Sequence, residues 1–271
     1  MQANLDPSNF DALQQYVISI FPDELSPLSV SIKNQKEEIS SLRRTIGSER
    51  FFFVVDLTSF EISLCDGIQR WLGYYEKDFT LKKYWGLVHP GMQKSAHTVF
   101  LQLCNILCTG KFKLAFMVQR YSSLIAIKHY KGHYLLAKRT ASVFQYDEQN
   151  RLTEYLNEFT IIGKYSDEPL TPTFFTDKGE EETSRGEIVM KQAVEQFIGM
   201  KIFSVNELHV ARLLAYTPAI TQKEIADLLG KSVHTIDTYC KRFSKKSKEF
   251  FHIDFPTVKE AALYLQKSGL L

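Results

Sequence analysis

Between Ser232 and Lys245 the chain carries hydroxyl, imidazole and cationic side chains at Ser232, His234, Thr235, Thr238, Lys241, Arg242 and Lys245. Interleaved with them are Val233, Ile236, Cys240 and Phe243, spaced 3, 4 and 3 residues apart. That spacing predicts one buried stripe on a helix, so the polar set must point away from it. A hydroxyl-rich, cationic helix face suits the major groove of double-stranded DNA, where short side chains approach base edges and Lys or Arg reach phosphates. The seven residues are the candidate DNA-contacting set, and Lys246 and Lys248 extend it toward phosphate. A merely solvated helix face is the alternative.

Other chemistries find few residues to carry them. The sequence has no Gly-rich phosphate loop, no G-x-S-x-G, no H-E-x-x-H and no carboxylate pair of recognisable spacing, so an enzyme is not expected. The four cysteines, Cys65, Cys104, Cys108 and Cys240, form no C-x-x-C pair and read as reduced thiols. Cys104 and Cys108 share a helix face but have no histidine or carboxylate company, and small buried packing residues are expected there instead of a metal site. His89 precedes Pro90 and reads as a helix-start residue; His97 reads as an ordinary helical histidine and not an axial haem ligand.

Local signals mark the elements that must hold the cationic helix. Ser204-x-x-Glu207, Thr221-x-x-Glu224 and Thr257-x-x-Glu260 each fit a capping box, in which hydroxyl and carboxylate satisfy free amides at a helix start. The first helix should end before Thr217-Pro218, and the second, with Ile225, Ala226, Leu228 and Leu229, at Gly230. Only Gly230 and Lys231 then separate it from Ser232, a good N-cap, so two short helices meet across a tight turn.

Taken together, Phe203-Ser204 with Glu207, then Glu224-Ile225-Ala226 with Leu229, Ser232 with Thr235-Ile236, and Phe243 with Lys246 resemble the LuxR-type helix-turn-helix family over about 65 residues. The resemblance implies an all-α four-helix domain that binds double-stranded DNA, commonly as a homodimer. Three positions depart from the family pattern: Asp237 where Lys is common, Tyr239 where His is usual and Ser247 where Leu is expected. Asp237 is the most awkward, because phosphates repel a carboxylate, although it could accept from a cytosine amino group. Related helices also hold RNA polymerase or other proteins, which leaves a protein-binding module as the alternative.

Upstream, Phe51–Asp56 and Phe60–Cys65 read as a hairpin, residues 66–107 as short helices, and three strands follow near 121–128, 133–146 and 155–163. The alternation of Phe112, Leu114, Phe116 and Val118 predicts a further extended run. This is an α+β arrangement with one antiparallel sheet. With Phe53-Val54-Val55-Asp56, Trp71-Leu72-Gly73-Tyr74 and Val88-His89-Pro90 in place, residues 48–165 resemble a PAS domain. That implies a five-stranded antiparallel sheet with helices, and a pocket that is packed solid or holds a small-molecule ligand. No cofactor is required by the sequence, and the cysteine motif of flavin photoreceptors is absent.

The expected organisation is a helical segment over 1–47, the PAS-like domain over 48–165, a linker and connecting helix over 166–200, and the helix-turn-helix domain over 201–271. Helices are expected over 9–21 and 31–46. In the second, Ile32, Ile39, Leu42 and Ile46 fit either packing on the chain's own domain or a two-heptad dimer seam. Net charge is +2, with 33 Lys and Arg against 31 Asp and Glu. From Lys201 onward the balance is eleven against seven, so the basic excess lies in the C-terminal part, as nucleic-acid binding would require. The start lacks a signal-peptide pattern and no run is long enough to span a membrane, which places the chain in the cytoplasm.

Overall fold

The computed structural model describes residues 10–45, 49–166, 173–175, 202–251, 253–267 and 270–271. Two helices open the chain, α1 (Phe10–Ser19) and α2 (Ile32–Thr45), followed by the hairpin β1 (Arg50–Asp56) and β2 (Glu61–Asp66). Three helices come next, α3 (Ile68–Leu72), α4 (Leu81–Leu87) and α5 (Pro90–Leu107). Long strands β3 (Arg120–Lys128), β4 (Tyr134–Tyr146) and β5 (Leu152–Lys164) complete a mixed α+β unit with an antiparallel sheet in the order β2-β1-β5-β4-β3. The sheet gains a sixth, three-residue strand, β6 (Thr173–Phe175), antiparallel to β3. β6 falls in the stretch read as linker, so the sheet is one short strand wider than the expected five. The connecting helix expected near 187–199 lies outside the described residues.

β1 explains why the sheet needs cover on both sides. Its Phe51, Phe53 and Val55 face the helices, where Phe53 meets Tyr84 edge-on at 4.9 Å and Phe51 stacks on Phe159 at 4.4 Å. Phe52 and Val54 face the other way, into a second cluster with Phe144, Leu156 and Ile39 of α2. A continuous apolar strand of this kind is stable only when both faces are dry. Of the four residues in the possible dimer seam, Ile39 and Leu42 therefore pack on the chain's own sheet, Ile32 is exposed, and Ile46 lies outside the described residues. α1 inserts Leu13 and Val17 into the inner core, so both N-terminal helices pack on the sheet unit.

The alternating run at 112–118 is not a strand. Leu114 packs on the inner core while Phe116 and Met117 cover the outer cluster, and Met117 takes a positive φ of 59°. Its amides are met one by one: Leu114 N by Asn150 Oδ1, Ala115 N by Gln119 Oε1 and Met117 N by the Val143 carbonyl. Alternation here serves a chain wrapping a sheet edge. His89 caps α5, its Nδ1 accepting from Gly91 N at 3.2 Å, and His97 packs against Trp85 with ring centroids 4.4 Å apart. Cys104 and Cys108 are buried in the inner core as small packing residues.

The C-terminal part is all helical: α6 (Val205–Tyr216), α7 (Gln222–Leu229), α8 (Val233–Phe251) and α9 (Val258–Lys267), with a core of its own. The two parts touch where the start of α5 meets the end of α8. A Cβ at Gly91 would overlap the carbonyl oxygen of Phe251, so glycine sets how close they come. Among the described residues no helix is long and apolar enough to cross a membrane.

Candidate nucleic-acid interface

The helix starts form as their sequences dictate. Ser204 Oγ accepts from Glu207 N and Glu207 Oε2 accepts from Ser204 N at 2.7 Å; Thr221 and Glu224 repeat the arrangement. At Thr257 the hydroxyl accepts from Glu260 N and donates to its carboxylate. Glu224's carboxyl is held below its ordinary range by the Thr221 backbone amide and then by the Thr221 hydroxyl. α7 stops at Gly230, which adopts a left-handed conformation (φ 61°, ψ 39°), and Lys231 N closes the turn on the Ala226 carbonyl at 2.9 Å.

α8 then starts at Ser232, whose Oγ accepts from Thr235 N at 3.1 Å and lies 2.8 Å from Thr235 Oγ1. The buried stripe of α8 consists of Ile236, Cys240, Phe243, Ser247, Phe250 and Phe251. Val233 does not belong to it. It is the first residue of the helix and stands 46% exposed. Leu228, near the end of α7, is 66% exposed, so two apolar side chains flank the turn on its open side.

All seven candidate contact residues lie on α8 or its cap, outside that stripe, but they are not equally free. Ser232 and Thr235 hold the helix start, and Thr238 Oγ1 donates to the His234 carbonyl at 3.0 Å. Lys241 pairs with Asp237 at 2.8 Å, which raises its pKa through that hydrogen bond and the carboxylate charge. Lys245 stands 3.9 Å from Glu249. The side chains of His234 and Arg242 are exposed and make no hydrogen bond or ion pair among the described residues. Of the two further cations, Lys248 pairs with Asp254, and Lys246 reaches back to buried Glu207 at 2.8 Å.

The Lys246–Glu207 pair was not legible as such, since its partners lie 39 residues apart. It makes Glu207 both the cap of α6 and the anchor of α8. Tyr239 adds a second tie, its hydroxyl accepting from Asn206 Nδ2 at 3.2 Å. Two of the three departures from the family pattern thus have structural partners, Asp237 with Lys241 and Tyr239 with Asn206. The third, Ser247, is fully buried and its hydroxyl makes no hydrogen bond among the described residues. No group of three or more His, Cys, Asp or Glu that could hold a metal occurs among the described residues.

No protein-family model matches the chain, and no curated protein matches it. Solved structures do. A phage VqmA–DPO complex is 15% identical over 89% of this chain and 92% of its own, with a TM-score of 0.32. The Vibrio cholerae VqmA dimer without target DNA, described among LuxR-type receptors, is 12% identical over 89% and 93%, also at 0.32. Escherichia coli SdiA is 14% identical over 97% and 99%, with a TM-score of 0.28. Similarity at these scores does not establish a common fold.

Proposed function

We propose that this chain is a DNA-binding transcription regulator in which α8 reads double-stranded DNA, as a homodimer, and the PAS-like sheet unit senses a signal or mediates assembly. One observation carries the reading. The left-handed turn at Gly230 brings α7 to α8 so that α8 buries one stripe and leaves His234, Thr238, Lys241, Arg242 and Lys245 together on the outside. A helix so presented, with cations toward its C-terminal half and short polar side chains toward its start, matches the demands of a major groove. Dimerisation would place two such helices on paired half-sites.

The test is fluorescence anisotropy of a labelled random duplex at low ionic strength, titrated with the full chain. Salt-dependent binding that weakens in Arg242→Ala supports the reading, and no binding at low salt refutes it. A second reading, a protein-binding module, draws on the exposure of Leu228 and Val233 beside the turn. Replacing both by Ser leaves DNA binding unchanged under the first reading and abolishes partner capture under the second.

A further inference from the structure

The inner face of the sheet contains a charge that no carboxylate neutralises among the described residues. Arg139 of β4, 4% exposed, lies opposite Ser123 of β3 and Phe159 of β5. Its Nε donates to Asn157 Oδ1 at 2.7 Å, and its guanidinium carbon stands 5.8 Å from the centre of the Tyr121 ring. Among the described residues no carboxylate pairs with it. The groups that act on it electrostatically are the phenols of Tyr84, Tyr155 and Tyr121. None of these supplies an anion, because burial pushes all three phenols up, against the lowering effect of Arg139 itself.

Around the guanidinium, four more buried polar atoms complete no hydrogen bond of good geometry among the described residues: Tyr84 OH, Tyr155 OH, Ser123 Oγ and Asn157 Nδ2, although Tyr155 stands within interaction range of the Asn157 side chain and Tyr121 within that of Ser123. A guanidinium stays charged at any accessible pH, and burying it without an anion is costly. Orphaned donors beside it add to that cost, and buried groups in native proteins are otherwise almost always satisfied. The set is rich in donors: the remaining N–H groups of Arg139, the Asn157 amide and three hydroxyls. Its complement is an acceptor-only group with two oxygens, which a guanidinium fork binds along two parallel hydrogen bonds. Phe53 and Phe159 pack against Tyr84 at 4.9 and 5.8 Å, so the body of such a molecule would meet aromatic walls.

We propose that the inner face of the sheet binds a small organic carboxylate, its oxygens paired with Arg139 and completed by Tyr84, Tyr155, Ser123 and Asn157. The proposal rests on the sensor reading of the sheet unit but not on DNA binding, which the anisotropy assay tests separately.

The experiment is a thermal-shift titration of the full chain with benzoate, phenylacetate and hexanoate, each beside its primary amide. A carboxylate in tenfold excess over its Kd raises Tm by about 4 °C, and the matching amide leaves it in place. Arg139→Met abolishes the shift while melting at or above the unliganded native chain, since it removes an unpaired buried charge. Tyr155→Phe keeps the fold and weakens the shift. The proposal is overturned if none of the three acids raises Tm, if amides act equally, if Arg139→Met keeps the shift, or if that variant melts below the unliganded native chain.

Discussion

Asp237 permits the sharpest test of how α8 meets DNA. Its carboxylate sits 2.8 Å from Lys241 Nζ, with the lysine side chain 76% and the aspartate 34% exposed. Seen from a phosphate, the two charges lie well within the screening length of about 10 Å at 0.1 M salt, so the pair acts as nearly neutral. Asp237→Asn removes the carboxylate charge and leaves Lys241 free to neutralise one phosphate. Each phosphate so neutralised adds about 0.9 to the slope of log K against log salt, which over the decade from 1 M to 0.1 M amounts to about an eightfold gain in affinity. Anisotropy of a random duplex, measured between 50 and 300 mM salt, should therefore show Asp237→Asn binding about eightfold tighter at 0.1 M, with a slope steeper by about 0.9. Lys241→Ala should change little in the native background and erase the whole gain in the Asp237→Asn background, a coupling that a double-mutant cycle reads directly. If Asp237→Asn leaves both affinity and slope at native values, α8 does not present Lys241 to phosphate and the proposed docking face is wrong.

Three further outcomes follow from the packing. Ser247 is buried with a hydroxyl unpartnered among the described residues, so Ser247→Ala should stabilise the chain by about 1–2 kcal/mol in urea unfolding, and a loss of stability would show that the hydroxyl has a partner. Glu207→Ala removes the carboxylate half of the α6 capping box and leaves Lys246, whose side chain is 36% exposed, without its anion, for a cost of about 2–3 kcal/mol. Glu207→Gln keeps the cap acceptor and should cost less than half as much; equal losses would mean that charge plays no part. Glu158, on the outer face, has its carboxyl pushed up by burial, opposed by Arg120 of β3 and Arg50 of β1 and reinforced by Glu38 of α2. A folded pKa above the unfolded one means that ionised Glu158 destabilises the native state once pH exceeds the unfolded value. Glu158→Gln should therefore raise Tm at pH 7 and leave it unchanged near pH 3.5, below the unfolded value, and a gain of equal size at both pH values would contradict the assigned cause.

What could be read in advance was what the chain decides locally. The capping boxes at Ser204 and Thr221 formed because their partners sit three residues apart, and the stop at Gly230 formed because the residue itself carries the left-handed turn. The helix stripe of α8 was right from Ile236 onward for the same reason. It failed at Val233, where a helix position is only as buried as the neighbour that reaches it, and no sequence period encodes that reach. The run at 112–118 failed for a related reason: alternation reports that successive side chains face opposite ways, which a chain folded over a sheet edge satisfies as well as a strand does. The placement of α2 across the outer face depended on Phe52 and Val54 needing cover, a demand made by β1 and met by a helix whose own sequence left two destinations open.

The candidate sites divide along the same line. α8 was legible because its chemistry and its position come from one segment. Arg139 was not, because Lys138-Arg139-Thr140 reads as a polar stretch of strand with nothing to say which side chain goes in. Register decides it. Between β4 and β5 the pairing passes from Leu136 with Gly163 to Ala137 with Ile161, so Ile162 is the extra residue of a bulge and stands 56% exposed. Beyond that bulge Arg139 falls opposite Phe159, an inner-face residue, and Lys138 opposite Thr160 on the outer face. Carrying the register of Leu136 and Gly163 on without the bulge would pair Lys138 with Ile161 and Arg139 with Thr160 and turn the charge pattern of the strand over, since side chains alternate with period two. The same residue that breaks the ladder therefore commits a guanidinium to the core. Deleting Ile162 should disturb the Arg139 site and leave the cap, turn and cations of α8 as they are.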